Sequence, residues 1–190
     1  MMAFWEDYYK QIRDNGNVGV MTWEKETHPA DYYKKVESIL PESSGHVLDY
    51  GCGLGHWHDF FVNHGYAYYG YDIATVAIEE ACRRYPDSVF FKDYRTAENM
   101  DVIFCHFVLM HVMKDDDVIA LLKSFKPLLS DNGYVVVIDN TSGKPPKDYI
   151  NFRTVPIFER LFTKADLHIV QAIPSKAYNG EDINLWRLTT

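Results

Sequence analysis

The chain is poor in the features that would staple it, embed it or bind it to a polyanion. It has three cysteines, Cys52, Cys82 and Cys105, and no CxxC pair. That leaves neither a disulfide framework nor a zinc knuckle, and each thiol reads as a small buried side chain. No apolar run approaches the ~18 residues of a membrane span. The opening Met1-Met2-Ala3-Phe4-Trp5-Glu6-Asp7 lacks the basic start of a signal peptide. A cytoplasmic chain without membrane association is therefore expected. Positive charge is scarce, with 19 Lys and Arg against 27 Asp and Glu and a net charge of -8. Nucleic acid affinity rests on cations that neutralise phosphates, so nucleic acid is disfavoured as a substrate. Lys144, Lys147 and Arg153 form the only late basic cluster. Internal repeats, low-complexity tracts and linkers are also missing. A length of 190 residues favours one domain.

What is present is organised around Val47-Leu48-Asp49-Tyr50-Gly51-Cys52-Gly53-Leu54-Gly55. An apolar run that stops at alternating glycines reads as a buried strand entering a tight turn. A helix starting within His56 to His64 would turn its free amide groups toward a ligand on that turn. A dinucleotide fingerprint needs a glycine three positions after the second. That position is His56, so the NAD reading loses an anchor.

Residues 3–13 place Phe4, Trp5, Tyr8, Tyr9 and Ile12 on one helix face, closed by Asn15-Gly16-Asn17. A second helix runs from Tyr32 to Leu40 and is closed by Pro41 and Ser43-Ser44-Gly45. This leader, residues 1–45, either packs its aromatics or forms a lid, with Trp5 and Tyr9 walling a cofactor. A core over residues 46–190 then alternates. Strands fall at His46–Asp49, Ala67–Tyr71, Ser88–Phe91, Asp101–Cys105 and Tyr134–Ile138. Helices follow the glycine turn and cover about 75–84 and 115–129, and Asn132-Gly133 turns the chain into the fifth strand. A helix near 152–162 precedes a hairpin of Ile169–Ile173 and Asn184–Leu188, joined at Asn179-Gly180. Continuously apolar strands between helices predict an α/β fold: a mostly parallel Rossmann-like sheet of about seven strands, helices on both faces and a C-terminal antiparallel hairpin. Ligands bind such sheets beyond the carboxyl ends of the strands. Those ends carry Asp49, Asp72, Asp93, His106, Asp139 and Asn140.

Four stretches resemble the class I S-adenosylmethionine (SAM) dependent methyltransferases. They are Asp49 with its alternating glycines, Gly70-Tyr71-Asp72-Ile73-Ala74, the run Asp101 to Val112 containing His111, and Lys126-Pro127-Leu128-Leu129-Ser130-Asp131-Asn132-Gly133. The resemblance covers about residues 46–140 and implies a SAM-dependent methyltransferase with S-adenosylhomocysteine (SAH) as product. It implies that Asp49, Gly51, Cys52, Gly53 and Gly55 floor the methionine end, while Asp72 takes the ribose hydroxyls and Ile73 packs on adenine. Asp93 would meet the adenine amino group, although only a short connection separates it from Asp101, and Tyr94 would stack on the base.

A sulfonium methyl is already electrophilic, so such an enzyme mainly aligns a nucleophile, with a base where the acceptor must lose a proton. His106, His111, Asn140 and Tyr9 are the candidates near the methyl group; His106 would also contact the cofactor, and His111 alternatively braces the loop after the fourth strand. The segment after that strand lacks the Asn/Asp-Pro-Pro-aromatic pattern of base-amine methyltransferases. Asp139-Asn140 resembles the pair in metal-dependent catechol-type O-methyltransferases. The third ligand would fall on His106, which suits Mg²⁺ poorly, so no metal is expected. The same pair, with His111 and the aromatic leader, also resembles protein α-amino methyltransferases, where Asp139 could accept the amine's proton. The acceptor is expected to be a small molecule or peptide, methylated on nitrogen or oxygen. A SAM-binding regulatory module is the alternative.

Overall fold

A computed structural model describes residues 2–14, 31–42, 44–147, 149–177 and 179–190. The helix stop at Asn15-Gly16-Asn17 and the turn residue Ser43 lie outside the described residues. In chain order the elements are α1 (Met2–Asp14), α2 (Tyr32–Ile39), β1 (His46–Tyr50), α3 (His58–Asn63), β2 (Ala67–Tyr71), α4 (Thr75–Arg84) and β3 (Val89–Phe90). After these come β4 (Met100–His106), α5 (Asp115–Phe125), β5 (Leu129–Asn140), α6 (Val155–Lys164), β6 (His168–Lys176) and β7 (Asp182–Thr189). No helix among the described residues is long and apolar enough to cross a membrane.

The seven strands form one sheet in the order β3-β2-β1-β4-β5-β7-β6. The first five run parallel, whereas β7 lies antiparallel between β5 and β6. Side chains of a strand alternate between faces, and the core divides accordingly. Leu48, Ile103, Cys105, Val135, Val137, Trp186 and Leu188 pack with α5 and α6 on one face. Val47, Val102, Phe104, Val136, Ile138, Ile183 and Leu185 pack with α2 and α3 on the other. Both faces are covered, so β4 and β5 are apolar at consecutive positions. β1 has β2 on one side and β4 on the other. The strand order therefore reverses between β1 and β4, and a crevice opens beyond their carboxyl ends.

Two expectations need correction. Asn132-Gly133 is not a turn before β5 but lies within it. Leu129 pairs with Met100 and Tyr134 with Val102, so the extra residues form a bulge. A Cβ at Gly133 would sit 2.6 Å from the Met100 carbonyl oxygen; glycine is required by a neighbouring backbone. The long helix predicted for 115–129 ends at Phe125, and Lys126–Leu128 tighten into one 3-10 turn.

α1 packs on α4 through Tyr9, Leu54, Ala74, Val76 and Ala77, with Trp5, Tyr8 and Ile12 beside them. The Glu6 carboxylate accepts from the N–H groups of Thr75 and Val76 at 2.7 and 3.3 Å. These are amides at the start of α4 that have no partner within the helix. The first helix thus caps the fourth.

Candidate active site

The glycine turn adopts left-handed conformations, with φ of 84° at Gly51, 54° at Gly53 and 84° at Gly55. Most of its amide groups are bonded within the protein. Gly51 and Cys52 N–H both donate to the Tyr71 carbonyl at 2.7 and 2.9 Å, and Gly55 N–H donates to Cys52 O at 2.9 Å. Gly53 N–H donates to the Asp72 carboxylate at 3.0 Å. α3 begins only at His58, so it does not add amides directly at the turn. A pyrophosphate needs such amides free; here Tyr71 and Asp72 at the end of β2 occupy those of Gly51, Cys52 and Gly53. The turn instead offers a surface without side chains. A Cβ on Gly53 would come within 2.7 Å of the Tyr9 hydroxyl, and one on Gly51 within 2.5 Å of a Val108 methyl. α1 and the loop after β4 close on the turn from two sides.

Asp49 is buried at the end of β1 and accepts from the Tyr68 hydroxyl at 2.7 Å. Burial pushes its pKa up to about 7, against the pull of that hydroxyl. Asp72 is half-buried and accepts from Gly53 N–H and, at 2.9 Å, from Ala74 N–H. Burial raises it to about 6, opposed by these amides. Beside it Ile73 is 37% exposed, an apolar surface on which a flat ring could lie. The Cys52 side chain is buried in the core, its thiol held up by burial, so only its backbone borders the crevice.

Asp93 begins a 3-10 turn and accepts from Arg95 N–H at 3.0 Å. Its carboxylate is also gripped by the Arg95 guanidinium at 2.8 and 2.7 Å. The Tyr94 hydroxyl is bonded to Ser124 at 2.9 Å, and its ring lies edge-on to Tyr50 at 4.9 Å. That ring belongs to the core side of the sheet, not to an open stacking surface.

His106 ends β4. Its Nε2 is 2.6 Å from the Tyr32 hydroxyl. Tyr32 is fully buried, and burial pushes its phenol well above the ordinary range, so it stays protonated. His106 also lies 4.9 Å from the Trp57 ring and 4.4 Å from Phe107. His111 sits on a 3-10 turn, Leu109–His111. Its Nδ1 meets the Tyr149 carbonyl at 3.1 Å, and Trp5 of α1 packs edge-on at 4.9 Å. Burial lowers its pKa below the ordinary histidine value, which keeps the ring neutral at physiological pH.

The Asp139-Asn140 pair is less available than expected. Asp139 is 0% exposed, and its two oxygens accept from Met110 and Asn140 N–H at 3.1 and 2.8 Å. Burial raises it to about 7. It fastens a loop and cannot take a proton from an incoming amine. Asn140 turns to the hairpin, donating to Glu181, and its Oδ1 accepts from Ser142 N–H at 2.9 Å. Of the late basic cluster, Lys147 stays exposed while the other two are engaged. Lys144 pairs with Glu181, and Arg153 is 1% exposed with its Nε on Asp115 at 2.9 Å.

Thus Asp49, the glycine turn, Asp72 and His106 lie at the carboxyl ends of β1, β2 and β4, with Tyr9 against Gly53 and Trp5 against His111, whereas Asn140 turns to the hairpin. Sequence reasoning missed Glu6, Tyr32, Arg153 and Glu181. Tyr32 reads only as part of an apolar helix face and Arg153 as a surface cation, because their partners lie far along the chain.

A parallel sheet whose order reverses at β1/β4 and which is closed by an antiparallel hairpin has the class I methyltransferase fold. A family model described as a methyltransferase domain matches residues 22–172. The chain belongs to this family and transfers methyl groups from SAM. No curated protein matches the sequence. Among solved structures, a TehB-like SAM-dependent methyltransferase from Corynebacterium glutamicum is 16% identical with a TM-score of 0.67, over 99% of this chain and 98% of that one. A SAM-dependent methyltransferase from Leishmania major is 19% identical, with a TM-score of 0.69 over 82% of this chain and 69% of that one. The glycopeptide N-methyltransferase MtfA is 13% identical, with a TM-score of 0.70 over 83% and 88%. At these identities the likeness is one of fold.

Proposed function

We propose that the protein methylates a small molecule or peptide on nitrogen or oxygen, with the cofactor held across the carboxyl ends of β1, β2 and β4. The arrangement that carries this reading is the Asp72 carboxylate tied to Gly53 N–H while the amides of Gly51, Cys52 and Gly55 are bonded to backbone carbonyls. Such a site suits a ligand with ribose hydroxyls and no phosphate. Asp72 accepts those hydroxyls, Ile73 supports the adenine, and the glycine surface lets the methionine moiety pass close to the backbone. Trp5 and Tyr9 cover it and exclude water. When bound, SAM supplies an electrophilic methyl group on a sulfonium. His111, neutral and bonded through Nδ1, holds its Nε2 lone pair ready to accept a proton from the acceptor. His106, fixed by Tyr32, positions the other side.

A free small or peptidic acceptor is favoured over nucleic acid because the chain is acidic and, of the late cations, Lys144 is paired with Glu181 and Arg153 is buried on Asp115. MtfA, a glycopeptide N-methyltransferase by its description, is compatible with that size class. The test is a labelled-methyl transfer screen against extract fractionated into protein, RNA and metabolite pools, alongside calorimetric titration with SAH. Micromolar SAH binding with label in the metabolite or peptide pool is expected. Failure of the native protein to bind SAH would overturn the cofactor geometry, and label confined to RNA would overturn the acceptor class.

A further inference from the structure

The loop that carries His111 is tied down far more completely than a connection between β4 and α5 requires. Leu109 O accepts from Arg153 Nη1 at 2.9 Å, and Val112 O accepts from Nη2 at 2.7 Å. Met110 N–H donates to Asp139, and Met110 O accepts from Asn151 N–H at 2.8 Å. Met113 O accepts from Asn151 Nδ2 at 2.9 Å, and His111 N–H donates to Val108 O at 3.0 Å. Carbonyls that folding removes from water need donors from the protein. Here a guanidinium that is 1% exposed serves them, and burying a charge is expensive unless it is paired and fully bonded. Asp115 supplies the pairing at 2.9 Å.

The segment that donates these bonds also supplies the Tyr149 carbonyl opposite His111 Nδ1. A carbonyl only accepts, so Nδ1 carries the proton and Nε2 the lone pair. In water a free histidine side chain favours the opposite form, with the proton on Nε2. Among the described residues Nε2 of His111 has no hydrogen-bond partner.

We propose that residues 149–153 form a strap that imposes the less favoured Nδ1–H tautomer on His111, with Arg153 as its positioning residue. This deepens the proton-accepting role given to His111 above and rests on that reading. Arg153 does not touch the reacting atoms; it acts by holding the Leu109–Met113 loop at the distance at which Tyr149 O meets Nδ1.

The experiment is long-range proton–nitrogen correlation on histidine-labelled protein at about pH 8, with the His111 signal identified by its loss in His111→Gln. Native protein is expected to show Nδ1–H at His111. In Arg153→Met the signal is expected to move to predominantly Nε2–H, while SAH affinity stays within about twofold. If Arg153→Met does not fold, Asn151→Ala decides, with a raised Nε2–H fraction expected. Asp115→Asn keeps the carbonyl bonds and is expected to leave the tautomer unchanged. Nε2–H in native protein, or an unmoved Nδ1–H in every folded strap variant, would overturn the proposal. Loss of SAH binding by native protein would strike the cofactor reading instead and leave the tautomer result standing.

Discussion

At Asp72 two influences pull the proton in opposite directions. Burial raises its pKa to about 6, while Ala74 and Gly53 N–H favour the charged form. Ribose hydroxyls would add two donors to the carboxylate, so binding favours the ionised state. SAH affinity is therefore expected to be flat above about pH 6 and to fall as the pH drops through that value. Calorimetry across this range checks it; a flat profile would refute the ribose contact. Asp72→Ala should weaken SAH at least tenfold, about 1.4 kcal/mol. Gly53 gives a second prediction. A side chain there meets both a positive φ of 54° and the Tyr9 hydroxyl 2.7 Å from its Cβ. Gly53→Ala should destabilise by about 1–2 kcal/mol in urea titration, since a left-handed residue other than glycine carries a cost of that order. The places of the glycine turn and of Asp72, each just past a strand, were legible because neighbouring residues mark them. Tyr32 was not, since its meaning lies in His106, 74 residues away.

Among the elements, α1 is the one whose attachment can be tuned without touching the sheet. Glu6 caps two amides of α4 across 69 and 70 residues of sequence. Glu6→Ala should weaken this docking by about 1 kcal/mol, the usual worth of a lost cap. Hydrogen exchange should then quicken within Met2–Asp14 while sheet amides stay protected. Equal loss of protection in β4 and β5 would mean that α1 is not a separate unit. The helical face of α1 was readable from the spacing of its aromatics, but not the Glu6 contact that fastens it to α4. β2 and α4 were readable to the residue, since Gly65, Asp72 and Pro86 punctuate them. The start of β5 was not. Asn132-Gly133 carries turn chemistry, and only the Met100 carbonyl pressed against Gly133 explains why it lies inside a strand.

For the whole molecule, the buried acids set how stability varies with pH. Asp49 and Asp139 are raised to about 7 and Asp72 to about 6. Between about pH 4 and pH 7 the native state therefore holds more protons than the unfolded chain, and stability falls as pH rises. His111, with its lowered pKa, contributes a smaller opposite slope below its unfolded value. The exposed pairs at Asp93 and Glu181 are screened, and their contribution is lost only as pH falls through their depressed values. The urea midpoint should be higher at pH 5 than at pH 8, and Asp139→Asn should flatten the difference. A midpoint that rises steadily from pH 5 to pH 8 would contradict the burial of these carboxylates. The order of synthesis adds one more consequence. β7 is made after every other strand, yet it lies between β5 and β6. Until residues 182–189 leave the ribosome, the nascent chain presents a bare β5 edge and lacks Trp186 and Leu188 on one face and Ile183 and Leu185 on the other. The interval between the emergence of β6 and that of β7 is when this protein is most open to strand-to-strand association with its neighbours.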